Sequence, residues 1–319
     1  MKYIGLHTQQ ARNNFRSIVL LCLFPCLVVL LTFLFCFLLM FFTSENQSGN
    51  ILEQAMPLFL YLAPYLLGGV AVWFLIAYFA NTAIIQSATG ARPLERKENK
   101  RVYNLVENLC MAQGMAMPKI NIIEDNSLNA YASGINNRTY TVALSRGIIN
   151  RLDDNELEGV IAHELSHIRN RDVRLLIVSI VFVGIFAMLT QLAFRTLLHS
   201  SGGNRNNKDG KGKAVIILIA LLVAIIGYFF ATLMRFAISR KREYMADAMA
   251  AEMTRRPQAL ASALRKISRN PNIEAVTRDD VAQLFIEHPR KKKQFFAGIS
   301  NLFATHPPIE KRIAALEQF

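Results

Sequence analysis

DDNELEGVIAHELSHIRNRD, residues 153–172, carries apolar residues at helical spacing and two histidines four positions apart. On an α-helix, residues i and i+4 stack on one face about 6 Å apart along the axis. His163 and His167 can therefore bind one metal ion together with Glu164 beside it, the geometry of metal-assisted amide hydrolysis. Leu157, Ile161 and Ile168 line an apolar stripe turned away from the histidines, and the small residues Gly159 and Ser166 leave room for a partner element. Asp153 and Glu156 are spaced as a capping box that starts the helix. The plain alternative is an amphipathic surface helix with two solvent-facing histidines.

Outward from this helix the chain reads as a membrane protein. Of 319 residues 52% are hydrophobic and the mean hydropathy is positive, with the apolar residues gathered into long runs. A spanning helix needs about 20 apolar residues, and four segments approach this: 17–42, 57–80, 173–198 and 214–234. The first is too long for a signal-peptide core and no small-x-small cleavage site follows it, so it reads as a retained anchor. Lys2, Arg12 and Arg16 precede it, 43–56 lacks Lys and Arg, and Arg92, Arg96, Lys97, Lys100 and Arg101 follow the second run. Both ends of this first hairpin are then cytoplasmic. The second hairpin fits less well, because its loop SSGGNRNNKDGKGK carries Arg205, Lys208, Lys211 and Lys213. Either the basic inner flanks outweigh that loop, or the two segments lie shallowly without crossing; both leave the residues before 172 and after 235 on one side. Chain spacing sets the metal roughly 10–15 Å from the bilayer at about 1.5 Å per helical residue.

A catalytic zinc takes three protein ligands and an open position for water, so a third donor has to come from elsewhere in the chain. The best candidate is Glu243 in SRKREYMADAMA, with Asp247 one turn on and placed to hydrogen-bond the free nitrogen of a ligating histidine. Acidic pairs of this spacing are also common on solvated helix faces.

The remaining soluble segments read as an amphipathic helix over 94–115, short strands at Lys119–Ile123 and Thr139–Leu144, a helix through Met253, helices near 256–269 and 278–286, and a last helix opened by Pro307 and Pro308. The expected domains are an N-terminal transmembrane hairpin (1–86), a first catalytic part with the HExxH helix (87–172), a second hairpin (173–234) and a second catalytic part with the third ligand (235–319).

HELSH, the later SRKREYMADAMA and the closing THPPIEKRI resemble, in that order, the HtpX family of membrane zinc peptidases, which is related to the CaaX prenyl proteases. That resemblance implies a mainly α integral membrane protein with an α+β catalytic domain of the zincin (gluzincin) type. It implies one zinc ion per chain held by His163, His167 and Glu243, with Glu164 as catalytic base and acid. It sets His306 near the site, where it serves either the tetrahedral oxyanion or a structural cap. Asn129 and Ala130 in SLNAYASG resemble the segment with which such peptidases hold extended substrate as an added strand, the alternative being a plain buried strand. It further implies polypeptide substrates, with damaged or misassembled membrane proteins foremost, and a site on the cytoplasmic face of the inner membrane.

Competing classes lack their signatures. The formal net charge of +13 sits on the flanks of apolar runs, which suits an anionic bilayer better than nucleic acid. Arg290–Lys293 beside Phe295 and Phe296 fits either lipid head groups or a solvated loop. Cys22, Cys26, Cys36 and Cys110 contain no CxxC pair and give neither a disulfide framework nor a cysteine metal site. An intramembrane protease would bury its HExxH in an apolar run; here Glu156, Glu158, Arg169 and Asp172 surround it. Two alternatives stay open: a CaaX-type prenyl-protein endopeptidase, which resembles this chain in motifs but normally has more spans than four, and a non-enzymatic membrane scaffold or transporter-like protein, which would need polar groups within spans that here hold almost no ionisable residues.

Overall fold

The computed structural model describes residues 6–43, 50–200, 208–236, 241–269, 285 and 307–319. In chain order these form α1 (Leu6–Thr43), α2 (Ile51–Thr89), β1 (Ala91–Pro93), α3 (Lys100–Ala112), β2 (Lys119–Ile123), β3 (Ala130–Ser133), β4 (Thr141–Ser145), α4 (Arg146–Arg151), α5 (Asp154–Arg169), α6 (Asp172–Ser200), α7 (Lys208–Phe236), α8 (Lys241–Thr254), α9 (Pro257–Ile267) and α10 (Ile309–Leu316). They divide into two compact units, 18–78 with 178–235, and 1–17 with 79–177 and 236–319.

The first of these units is apolar and helical. Two helices are long and apolar enough to cross a bilayer, over Cys22–Thr43 and Ile51–Ile76, while the apolar stretches Val183–Leu192 and Val215–Phe230 are shorter. Two of the four expected spans thus reach full length among the described residues. Close approach substitutes for polar glue here. A Cβ on Gly227 would lie 2.3 Å from the Phe186 ring and 2.9 Å from Leu31, so only a hydrogen fits where these helices meet. Phe186 also meets Phe24 edge-on at 5.6 Å.

The other unit holds a four-stranded mixed sheet of order β1-β2-β4-β3. β2 runs parallel to β4 with Ile120 beside Val142, while β1 and β3 are antiparallel to their neighbours. β1 and α4 had no clear sequence signal. β3 is AYAS, too short and small-residued to show an alternating pattern, and only the resemblance carried by SLNAYASG marked it. The helix expected over 278–286 is described at Phe285 alone, and that residue forms an antiparallel bridge to Tyr131. Its ring packs edge-on at 4.9 Å against the buried Tyr131, so this one residue pairs with β3, and the rest of 278–286 lies outside the described residues.

α5 lies at the centre of the unit, packed against α3, β3, β4, α8 and α9. The capping box forms: Asp153 accepts from the Glu156 amide at 2.9 Å and Glu156 accepts from the Asp153 amide at 3.0 Å. Glu156 also accepts from Ser262 at 2.7 Å and from Lys266 at 2.6 Å, which ties α9 to the start of α5. Arg101 of α3 donates to the Ile149 and Leu152 carbonyls just upstream. Gly159 and Ser166 admit the partners that their size allows, Leu260 of α9 and Met253 of α8. α5 is nevertheless not a one-sided amphipathic helix, since Leu157, Val160, His163, Glu164, Leu165 and Ser166 are all buried.

Gly147, in the first turn of α4, holds the loop after β2. Its amide donates to the Asp125 carbonyl at 2.9 Å, and a Cβ there would stand 2.2 Å and 2.3 Å from the carbonyl oxygens of Asn126 and Ser127. Backbone cannot yield as a side chain can, so Gly147→Ala is expected to cost about 1–3 kcal/mol, seen as a lower thermal midpoint of the detergent-solubilised chain.

Candidate metal centre

Two turns into α5, His163 and His167 face each other with their Nε2 atoms 3.2 Å apart and ring planes at 88°. α8 brings Glu243 to the same point, with Oε1 3.6 Å from His167 Nε2 and Oε2 3.8 Å from His163 Nε2. One ligand atom from each of the three lies within 4.8 Å of the others, so they could hold a metal ion. Glu164, the residue after the first histidine, is 1% exposed.

The outer nitrogens fix the tautomers. Asp247, one helical turn after Glu243, has Oδ1 2.9 Å from His163 Nδ1, and Asp172, the first residue of α6, has Oδ2 3.2 Å from His167 Nδ1. An ionised carboxylate can only accept, so each imidazole carries its proton on Nδ1 and turns an Nε2 lone pair inward. His163 Nε2 stands 3.2 Å from His167 Nε2 and 3.3 Å from Arg312 NH2, so the facing nitrogens must share a proton or another cation. Nitrogens bound at 2.0–2.1 Å to one tetrahedral zinc stand about 3.3 Å apart, so the spacing and the two-imidazole, one-carboxylate donor set both fit such an ion.

Each carboxylate is itself backed by an arginine. Arg312 of α10 is fully buried and grips Asp247 with both arms of its fork, Nε to Oδ2 at 2.8 Å and NH2 to Oδ1 at 2.7 Å. Its NH1 lies 3.6 Å from Glu243 Oε2. Arg242 NH1 lies 3.3 Å from Asp172 Oδ1. These charges move the titrations apart. Burial, helped by the Arg312 charge, pushes His163 down. Burial would lower His167 too, but the hydrogen bond to Asp172 and the carboxylates of Glu243 and Glu164 outweigh it and push His167 up.

Of the residues singled out from the sequence, His163, Glu164, His167, Glu243 and Asp247 gather within this one pocket. Asn129 and Ala130 stand at the start of the terminal strand β3, which packs on α5. The Asn129 amide donates to Ser145 Oγ at 3.1 Å and its side chain accepts from the Ala130 amide at 3.0 Å. His306 and 290–296 lie outside the described residues. Asp172, Arg242 and Arg312 were not assigned to the site from sequence. Arg312 stands inside the THPPIEKRI motif, and the remaining signal was an Asp five residues past the second histidine, at the boundary of an apolar run.

The model of peptidase family M48 matches residues 96–319. A protease HtpX homologue of Bacteroides fragilis is 68% identical over 322 residues, covering 100% of both chains. The homologue of Dictyoglomus thermophilum is 42% identical over 255 residues, 78% of this chain and 81% of that one. Among solved structures, the crystal structure of S. mikatae Ste24p aligns with 89% of this chain and 61% of its own at 22% identity and a TM-score of 0.44. With its His/His/Glu cluster, its apolar helices and its full-length likeness to HtpX proteases, the chain belongs to peptidase family M48 and is a membrane-anchored metalloendopeptidase.

Proposed function

We propose that His163, His167 and Glu243 hold one zinc ion, and that Glu164 moves the protons of a peptide hydrolysis carried out on the cytoplasmic face of the inner membrane. The observation that carries this reading is the meeting of the three donor side chains, from two helices on either side of the second apolar hairpin, within 4.8 Å. A zinc ion bound there polarises the scissile carbonyl and acidifies water. Glu164 accepts the proton of the attacking water and delivers it to the leaving amine nitrogen, so the C–N bond breaks as the amine becomes neutral. Asp247 and Asp172 hold the imidazoles in the tautomer that this requires. Extended substrate pairs by strand addition at Asn129 and Ala130, the end of β3 ahead of the Tyr131–Phe285 bridge.

We further read α6 and α7 as embedded with α1 and α2, giving four membrane helices, an α+β gluzincin domain formed by 87–172 and 235–319, and hairpins at 1–86 and 173–234. A catalytic domain joined to the bilayer at several points meets lipid and polypeptides emerging from it, which favours damaged or misassembled membrane proteins as substrates. Comparing the membrane proteomes of cells holding the wild type and an inactive variant should show full-length membrane proteins accumulating with the latter. Equal membrane proteomes would overturn the substrate class.

The ligand set is tested separately. Purified wild type should carry about one zinc per chain, as one three-ligand site requires, and Glu243→Ala should lose most of it at equal protein recovery. A Glu243→Ala chain with full zinc by elemental analysis would reject the third ligand.

A further inference from the structure

We infer that Asp172 and Arg242 form a positioning relay for His167, the counterpart of the Asp247–Arg312 pair behind His163. The inference rests on the ligand set proposed above. Asp172 spans the two partners with different oxygens, Oδ2 to His167 Nδ1 at 3.2 Å and Oδ1 to Arg242 NH1 at 3.3 Å. All three side chains are largely withdrawn from solvent, at 15%, 5% and 10% exposure. In such surroundings a carboxylate needs hydrogen-bonding partners on both oxygens, and Arg242 occupies the oxygen that His167 leaves over.

Chain geometry makes the contact possible. α5 ends at Arg169, Asn170 donates back to the Ser166 carbonyl, and Arg171 adopts φ 60, a left-handed conformation that a residue with a Cβ rarely takes. That single reversal lets Asp172, only five residues after His167, return to the outer nitrogen of the ring. Arg242 arrives next to Glu243 on α8, so one helical turn delivers both a ligand and the counter-charge for the other ligand's support. The relay fixes the Nδ1–H tautomer of His167 and aims its Nε2 at the metal position; Asp172 and Arg242 touch no reacting atom.

Zinc affinity of the full chain in detergent, measured by competition with a chromophoric chelator, tests this without reference to turnover. Asp172→Asn should weaken zinc about 10- to 100-fold, the usual loss when a carboxylate behind a ligating histidine is removed. Arg242→Gln should weaken it less, and adding it to Asp172→Asn should cost nothing more, because the arginine acts only through the carboxylate. Wild-type affinity in Asp172→Asn, or losses that multiply in the double variant, would overturn the relay while leaving the ligand set intact. Failure of the wild type to take up zinc would instead sink both. Should Asp172→Asn not yield folded protein, Arg242→Gln alone decides: unaltered affinity there rejects the relay.

Discussion

Glu164→Gln should leave about one zinc on each chain and reduce peptide cleavage by roughly 10²- to 10⁴-fold, the contribution of a positioned acid–base group. The amide has nearly the shape of the carboxylate, so packing in the buried pocket is kept, and the cluster of His163, His167 and Glu243 does not include this side chain. What is lost is the ability to take a proton from water and return it to the departing amine. A fluorogenic peptide assay together with elemental analysis separates the two effects. Wild-type turnover by a zinc-loaded Glu164→Gln chain would remove Glu164 from the reaction; loss of zinc would show that the residue supports the pocket instead.

Arg312→Met should be the most damaging single change to stability among the residues around the centre. The guanidinium is fully buried and makes both hydrogen bonds of a fork to Asp247, itself 3% exposed. Removing one partner of such a pair leaves the other charge buried and uncompensated, at a cost of about 3–5 kcal/mol. The acid response should change with it. Burial alone would raise the Asp247 pKa, but the Arg312 charge and hydrogen bonds, with His163, hold it below its usual 3.8, at about 2. A depressed folded-state pKa means that stability from the pair is complete above about 3.8 and drains away as the pH falls toward about 2. In Arg312→Met the burial effect has lost its main opponent, so destabilisation by acid should begin at higher pH. Combining Arg312→Met with Asp247→Leu should recover most of the thermal stability, because an apolar pair of similar volume tolerates burial, yet zinc affinity should stay low because His163 has lost its carboxylate. A single variant that melts like wild type would show the pair to be dispensable.

Much of this arrangement was legible in the sequence because it is local. HExxH needs only the 3.6-residue repeat of one helix, the four-residue step from Glu243 to Asp247 needs only another, and the apolar runs declare themselves by length. The sheet was half legible: β2 and β4 are rich in branched apolar residues, whereas β1 and β3 are short and exist by virtue of their neighbours. The arginines were hidden for a different reason. Arg242 reads as one of a cluster of positive charges flanking an apolar run, and Arg312 as one charge on an amphipathic helix. Their burial depends on carboxylates 70 and 65 positions away, which no spacing rule reaches. The burial of α5 on all sides was likewise not apparent, because polar residues that serve a metal site look the same in sequence as polar residues that serve water.

The left-handed joint at Arg171 sets a rule for anyone who wishes to cut this enzyme free of lipid. A soluble version that drops the first apolar hairpin and replaces the second with a flexible linker is a natural protein-engineering goal, and the obvious scissor points of the second lie at the edges of the hydropathy plot. Those edges fall directly beside Asp172 and a few residues before Arg242, so trimming that removes either residue, or an insertion that shifts the five-residue step from His167, would cost metal retention even in a molecule that is well folded. The splice belongs beyond Asp172 on one side and before Arg242 on the other.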